Sequence, residues 1–214
     1  MSDFSLEIEA GADQGAVIVG IDEVGRGPLA GPVMAAAVHI PFALHTDHLF
    51  RDVTDSKKLS AAKRELIAEA LVGMVPYGIG VAEVGEIDRI NILQATYVAM
   101  GRAAAALTQR LEKTPDLYLI DGNRLPPLPV PARAVVKGDL KSLSIAAASI
   151  IAKVHRDTAM RVLAEAHPGY GWERNAGYGT AQHLAGIAAL GVTDHHRRSF
   201  RPVREALLRD VGTL

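Results

Sequence analysis

Three short apolar segments of this chain lead into acidic residues. The segments are Val17–Ile21, Leu117–Ile120 and Ala134–Val136, followed by Asp22, Asp121 and, after Lys137-Gly138, Asp139. Their length and β-branched character predict strands buried on both faces. Open sheets with parallel strands place functional residues beyond the carboxyl ends of those strands. The pattern therefore predicts an α/β fold in which Asp121 and Asp139 converge with Asp22.

The other elements predicted from the pattern alternate along the chain. Further strands are predicted over 33–40 and 77–84, and the turn at Pro28, Gly31 and Pro32 suits an antiparallel pairing of 17–21 with 33–40. Helices are predicted from a cap at Ser60 to Val72, over 92–111 and over 142–165. The proline-rich segment 125–131 is short enough to be a loop.

Composition limits the chemistry that is available to the chain. Its 214 residues include no cysteine, which excludes disulfides, thiolate zinc sites and a cysteine nucleophile. The start has neither the basic residues nor the apolar stretch of a signal peptide, and no later segment is suited to span a bilayer. We therefore expect a cytoplasmic protein without membrane partners. We also expect a flexible N-terminal segment over residues 1–16 and one catalytic domain over 17–214.

Charge is distributed unevenly along the chain. Residues 1–132 carry 11 Lys+Arg against 17 Asp+Glu, whereas residues 133–214 carry 12 against 7. This split suits metal-binding carboxylates together with a phosphate-binding surface, although ordinary surface variation explains it equally well.

The densest chemical signal is the acidic pair Asp22-Glu23, which runs into Gly25-Arg26-Gly27. An anionic pair suits a divalent metal, and a glycine loop lets the backbone approach a phosphate or sugar closely. Adjacent strand residues face opposite ways, so Glu23 needs a twist of the strand end, or its carbonyl, to act beside Asp22. Taken alone, each aspartate is as well explained as a turn or cap residue, and the glycine loop as a hairpin turn.

Several motifs occur together in one order along the chain. They are Gly20–Pro28, Asp55–Leu59, Ile120–Asn123, Lys137–Asp139, Ala147–Lys153, Gly177–Thr180 and His196–Phe200. In this combination the sequence resembles the bacterial ribonuclease HII family, the type 2 ribonucleases H, from about Val17 to Arg204. The resemblance implies a ribonuclease H-like mixed β-sheet flanked by helices, with a C-terminal helical extension.

The resemblance also assigns roles to particular residues. It implies that Asp22, Glu23, Asp121 and Asp139 form a catalytic cluster that holds two Mn²⁺ or Mg²⁺ ions. It implies substrate contacts by Gly25, Arg26, Gly27, Lys57, Ser149, Lys153, Tyr178 and Arg197. Within this set, Tyr178 stacks on the sugar that follows the ribonucleotide. His195 and His196 are interpreted as surface residues near the substrate.

The activity that the resemblance implies is metal-dependent endonucleolytic cleavage of RNA. The partners are RNA–DNA hybrids and duplex DNA containing ribonucleotides, cut on the 5′ side of a single ribonucleotide to leave 3′-hydroxyl and 5′-phosphate ends, by a monomer. A dinucleotide-binding loop is disfavoured because Asp22 and Glu23 would face the pyrophosphate. The alternative is a non-catalytic RNA–DNA hybrid binding module, which would not need the four acids.

Overall fold

The structure is a computed structural model that describes residues 2–54, 56 and 59–211. The chain divides into two compact units, and the single catalytic domain expected over 17–214 stays a prediction. We call the first the sheet unit, formed by Met1–Val24, Met34–Val81 and Thr96–Val154. We call the second the helical unit, formed by Gly25–Val33, Ala82–Ala95 and His155–Leu214. No helix of the described residues is long and apolar enough to cross a membrane.

Five strands form one mixed sheet in the order β3-β2-β1-β4-β5. They are β1 (Ile18–Val24), β2 (Val33–His39), β3 (Tyr77–Ala82), β4 (Leu117–Asp121) and β5 (Ala132–Val135). β1 pairs antiparallel with β2 and parallel with β4, and β4 pairs parallel with β5. The predicted mixed sheet and its antiparallel first pair are confirmed. β1 continues three residues beyond its predicted end and therefore includes the acidic pair.

Seven α-helices accompany the sheet in the described residues. They are α1 (Ser5–Glu9), α2 (Ala61–Met74), α3 (Val84–Thr108), α4 (Leu143–Ala166), α5 (Trp172–Asn175), α6 (Ala181–Leu190) and α7 (Arg201–Val211). Ser60 caps α2 as predicted, since its hydroxyl accepts the Lys63 N–H at 3.3 Å. α3 begins before the predicted residue 92 and is interrupted at Asn91, whose φ of 68° is non-helical. The Asn91 side chain caps the second half by accepting the N–H groups of Leu93 and Gln94.

The core of the sheet unit lies where α4 crosses the sheet. A Cβ built on Gly20 would lie 2.2 Å from the backbone carbon of Ser144, so the two backbones are in direct contact there. Only glycine permits this approach. The first half of α4 is rich in alanine and buried. Its small side chains let the helix lie close to the strand.

The described part of the N-terminal segment packs within the sheet unit, whereas the sequence predicted a flexible lead over residues 1–16. Phe4 and Ala12 belong to the core. Glu7 is fully buried, and its Oε1 accepts the hydroxyl of Ser142 at 2.5 Å and the N–H of Ser144 at 2.9 Å. A carboxylate at this position caps the start of α4 and interacts favourably with its dipole. The polar composition of residues 1–16 concealed this anchor.

The helical unit has its own core. Its buried apolar residues are Leu29, Ala30, Met160, Ala164, Tyr170, Trp172, Ile187 and Val203. Residues 25–32 enter this core as an irregular segment with one isolated antiparallel bridge, between Ala30 and His196. Leu29 donates its N–H to the Gly177 carbonyl at 2.8 Å, and Gly31 donates to the His195 carbonyl at 2.9 Å. The segment that contains the predicted substrate-binding loop is therefore held by hydrogen bonds to two parts of the C-terminal third of the chain.

Candidate active site

Asp22 and Glu23 occupy the last part of β1, opposite Ala36 and Ala35 of β2. Asp22 is buried, with 6% of its surface exposed, whereas Glu23 is partly exposed. The Glu23 N–H donates to Asp22 Oδ1 at 2.7 Å, which fixes the Asp22 carboxylate against its own backbone. The small alanines of β2 leave room at this point for two acidic side chains.

Asp121 and Asp139 come from the two neighbouring parallel strands. Ile21 pairs with Ile120, so Asp22 and Asp121 each follow a paired residue at the same end of adjacent strands. Asp139 lies in a short 3₁₀ helix, Gly138–Leu140, that follows β5. The Gly138 N–H donates to Asp121 Oδ1 at 2.6 Å and so ties this turn to β4. A Cβ on Gly138 would lie 2.6 Å from Ile145 Cδ1, so a larger residue at this position would collide with Ile145.

The like charges of Glu23 and Asp121 act on the buried Asp22 at this edge of the sheet. Burial raises the pKa of Asp22 well above its usual value, and the charges of Glu23 and Asp121 raise it further. A hydrogen bond from the Ser149 hydroxyl opposes this shift, as does the Glu23 N–H. Like charges gathered without a cation are destabilising, and they give a site that a divalent cation stabilises.

The carboxylates of Asp22, Glu23 and Asp121 lie close enough for their charges to interact, but they do not form a complete set of metal ligands. Among the described residues, no group of three or more acidic or histidine side chains is arranged around one point to hold a metal ion. Carboxylate oxygens are nevertheless the ligands preferred by Mg²⁺ and Mn²⁺. The negative charge of the cluster and the burial of Asp22 fit a divalent ion of this kind.

Ser149 and Lys153 lie one helical turn apart on α4, so they share a face of that helix. Ser149 is buried, and its Oγ lies 3.0 Å from Ser56 Oγ in the segment before α2. Ser149 also donates a hydrogen bond to Asp22. The hydroxyls of Ser56 and Ser149 therefore stabilise the position of the Asp22 carboxylate. Lys57 lies outside the residues that the structure describes.

The loop Gly25–Gly27 belongs to the helical unit and begins two residues after Glu23 along the chain. Gly25 has φ of 91°, a conformation that favours glycine. A Cβ on Gly25 would lie 2.1 Å from Arg156 Nε, so a buried arginine also excludes any larger residue. The loop has a fixed shape and is more than a flexible hairpin turn.

Arg197 supports this loop from inside. Its side chain is fully buried and donates to the carbonyls of Gly25 at 2.6 Å, Arg26 at 3.0 Å and Gly31 at 2.8 and 3.0 Å. Each of its three guanidinium nitrogens thus donates to the protein backbone. The sequence predicted a substrate contact by Arg197, whereas the hydrogen bonds of the structure show that its side chain supports the loop backbone.

Tyr178 projects from a tightly bonded turn, with 47% of its surface exposed. Asn175 holds the turn through its side-chain oxygen, which accepts the Gly177 N–H at 2.9 Å, and through its carbonyl, which accepts the Tyr178 N–H at 2.9 Å. A Cβ on Gly27 would lie 3.4 Å from Tyr178 Cε1, so the tyrosine ring lies beside the glycine loop. The structure therefore brings Gly27 and Tyr178 together.

His196 is fully buried and His195 is partly buried, which corrects the surface interpretation of this pair. His196 Nε2 lies 3.1 Å from His183 Nε2, which also accepts the Trp172 indole N–H at 3.0 Å. His183 Nδ1 lies 2.9 Å from the Tyr178 carbonyl, so its proton is on Nδ1 and its Nε2 is an acceptor. His196 Nδ1 accepts the Thr193 N–H at 3.0 Å, so each ring has one accepting nitrogen and is neutral.

This histidine pair supports the Tyr178 turn, and burial lowers the pKa of both rings. Burial lowers the pKa of His196 to about 4, with the His183 ring adding to the effect, and burial also lowers the pKa of His183. Sequence reasoning missed His183, Trp172 and Arg156. A lone histidine or arginine on a helix gives no signal that separates a buried hydrogen-bonding role from a solvated one.

Comparison with solved structures defines the class of protein. Bst-RNase HIII in complex with Mn²⁺ matches with a TM-score of 0.72 at 22% identity, covering 92% of this chain and 72% of that chain. The RNase HII in the PCNA:RNase HII complex of Archaeoglobus fulgidus matches with a TM-score of 0.67 at 26% identity, covering 86% and 95%. The mixed sheet flanked by helices is therefore a ribonuclease H-like fold.

Sequence comparison defines the family within that class. The ribonuclease HII family model matches residues 19–203. A ribonuclease HII of Rhodospirillum rubrum is 62% identical over 213 residues, covering 99% of this chain and 94% of that protein. The chain belongs to the ribonuclease HII family. It is accordingly a ribonuclease H, a hydrolase that cleaves the RNA of RNA–DNA hybrids.

Proposed function

We propose that this chain cuts on the 5′ side of single ribonucleotides embedded in duplex DNA, as well as within RNA–DNA hybrids, and leaves 3′-hydroxyl and 5′-phosphate ends. Such an activity serves the removal of ribonucleotides during DNA replication and repair. The observation that carries this proposal is the buried Asp22 beside Glu23 and Asp121 at the ends of parallel strands. A binding module without catalysis has no need for such a destabilising group.

We propose that Asp22, Glu23, Asp121 and Asp139 hold divalent ions, Mn²⁺ or Mg²⁺. A Bst-RNase HIII has been solved in complex with Mn²⁺, and the oxygen donors of this chain fit the same kind of ion. Bound ions supply activation of the attacking water and stabilise charge on the leaving oxygen. Ser149 and the Gly138 N–H orient Asp22 and Asp121 for this role.

The helical unit supplies recognition in this proposal. The backbone of Gly25–Gly27 approaches the 2′-hydroxyl, the group that distinguishes RNA from DNA. Arg26 and Lys153 contact phosphates, whose charges provide most of the affinity but no sequence information. Tyr178 is half exposed beside Gly27 and stacks on the sugar that follows the ribonucleotide.

The test is a cleavage assay on duplex DNA carrying one ribonucleotide, with Mn²⁺, with Mg²⁺ and with chelator. We expect metal-dependent cutting on the 5′ side of the ribonucleotide, with an upstream product that DNA polymerase can extend from its 3′-hydroxyl. Asp22→Asn should abolish the cut, whereas Asp13→Asn, at an exposed acid of the same unit, should leave it unchanged. Binding of the duplex by the wild-type protein without cutting would favour the non-catalytic alternative.

A further inference from the structure

The segment 25–32 folds around two fully buried arginines, Arg156 and Arg197. Between them they donate to five of its carbonyls. The acceptors are Gly25, Arg26 and Gly31 for Arg197, at 2.6 to 3.0 Å, and Ala30 and Pro32 for Arg156, at 3.2 and 3.0 Å. Most carbonyls of the segment are thus turned toward guanidinium groups inside the unit.

This orientation determines where the N–H groups of the loop point. In a planar trans peptide the C=O and N–H bonds point in opposite directions. Since Arg197 draws in the carbonyls of Gly25 and Arg26, the N–H groups of Arg26 and Gly27 are directed away from Arg197. These are the donors that a glycine loop offers to a hydroxyl or phosphate oxygen.

Arg156 has a second connection that Arg197 lacks. Its Nη1 donates at 2.9 Å to the carbonyl of Ala176, two residues before Tyr178. Ala176 has φ of 47°, an unfavourable conformation for a non-glycine residue that this hydrogen bond helps to hold. One guanidinium therefore links the loop 25–32 to the turn that presents Tyr178.

Only arginine can make these connections. A guanidinium offers five N–H donors in a rigid planar fork, whereas a lysine ammonium is a single compact charge. Burial and the neighbouring Arg156 charge lower the pKa of Arg197 to about 9, so Arg197 remains charged at neutral pH. Burying two like charges is a poor way to stabilise a fold, which favours a role in fixing a conformation.

We propose that Arg156 and Arg197 are positioning residues for ribonucleotide recognition. Arg197 sets the direction of the loop N–H groups, and Arg156 sets the spacing between that loop and Tyr178. This inference rests on the proposed function, because it assigns the loop to the 2′-hydroxyl and Tyr178 to the junction. It predicts different kinetic consequences for the two arginines.

The experiment compares Arg156→Lys, Arg197→Lys and the exposed control Arg161→Lys on the same helix as Arg156. Values of kcat and KM are measured on a duplex with one ribonucleotide and on a long RNA–DNA hybrid. Arg197→Lys should lower kcat about tenfold or more on both substrates, with little change in KM, because phosphate contacts are kept. Arg156→Lys should lower kcat on both substrates, and the decrease should be about tenfold larger on the single-ribonucleotide duplex than on the hybrid.

Hydrogen exchange of the backbone amides provides a readout that does not depend on cleavage. Both variants should lose protection in residues 25–32, while the sheet unit keeps its protection and the control matches the wild type. If a lysine variant does not fold, Gly25→Ala replaces it, because the new Cβ would displace the Arg156 side chain and leave its charge intact.

Two results would overturn the inference: unchanged loop protection in the folded variants, or equal losses on the two substrates for Arg156→Lys. If the wild-type protein cuts neither substrate, the proposed function fails. Loop protection then still decides whether the two arginines position this segment.

Discussion

The two units hold their functional residues by opposite means. The sheet unit gathers acids whose charges oppose one another, with Asp22 buried among them. The helical unit buries two arginines and satisfies them with backbone carbonyls. Under the proposed function, an added cation would offset the like charges of the first arrangement, whereas the second needs no added group. Catalysis would then depend on a cluster of like charges, and recognition on a loop of fixed shape.

The largest expected effect separates activity from stability in the sheet unit. Asp22→Asn should reduce cleavage about 10³-fold or more, because metal binding supplies several kcal/mol of transition-state stabilisation. In the absence of metal the same change should raise the free energy of unfolding by about 1 kcal/mol, since a buried charge among like charges is removed. Single-turnover kinetics and urea unfolding in chelator measure the two effects, and lowered stability would contradict the electrostatic account.

Two glycines test how each unit tolerates a new Cβ. Gly20→Ala places that atom 2.2 Å from the α4 backbone and should cost about 3 kcal/mol of stability, because a backbone cannot move aside cheaply. Gly25→Ala meets the side chain of Arg156 instead and should impair cleavage more than stability. Thermal unfolding and cleavage rates of both variants provide the comparison. An equal loss of stability in the two would remove the distinction between the units.

Acid should affect the helical unit through its histidine pair. The pKa of His196 is about 4 in the fold and near 6.5 when unfolded, so the unfolded state binds protons first. Stability is complete above about pH 6.5 and falls as the pH drops toward 4, by about 2 kcal/mol between pH 7 and 4.5. Urea unfolding across this range measures the slope, which His196→Asn should flatten. His48→Asn, at an exposed histidine, should leave the slope unchanged.

The smallest expected effect concerns substrate choice. Tyr178→Ala should lower kcat/KM about tenfold on the single-ribonucleotide duplex, because it removes the stabilisation that one stacking contact provides. The loss on a long hybrid should be smaller, because a junction is not required there. Tyr178→Phe keeps the ring and should retain most of the activity on both substrates. Equal losses for Tyr178→Ala on the two substrates would argue against a junction role.

The sequence was most informative where chemistry and strand pattern coincide. Asp22 and Asp121 were predictable because each ends a short apolar run, and the sheet register places those ends side by side. The family resemblance added Glu23, Asp139 and the loop. Asp139 lies on a 3₁₀ turn held by Gly138, a detail that strand periodicity does not encode.

The network inside the helical unit was not predictable. Arg156 lies in α4, where a charged residue normally indicates a solvated face, and its three backbone acceptors come from distant parts of the chain. His196 and Arg197 were interpreted as exposed or substrate-facing for the same reason. Glu7 was missed because its partners, Ser142 and Ser144, are far away in sequence. Burial of polar groups is decided by tertiary packing, so single-residue patterns do not reveal it.

Calorimetric titration of Mn²⁺ into the wild-type protein, Asp22→Asn and the surface control Asp13→Asn tests directly whether the acidic cluster binds metal. We expect the wild type and the control to bind Mn²⁺ equally and Asp22→Asn to bind at least about tenfold more weakly. Binding of Mn²⁺ by Asp22→Asn with wild-type affinity would contradict the assignment of the metal site to this acidic cluster.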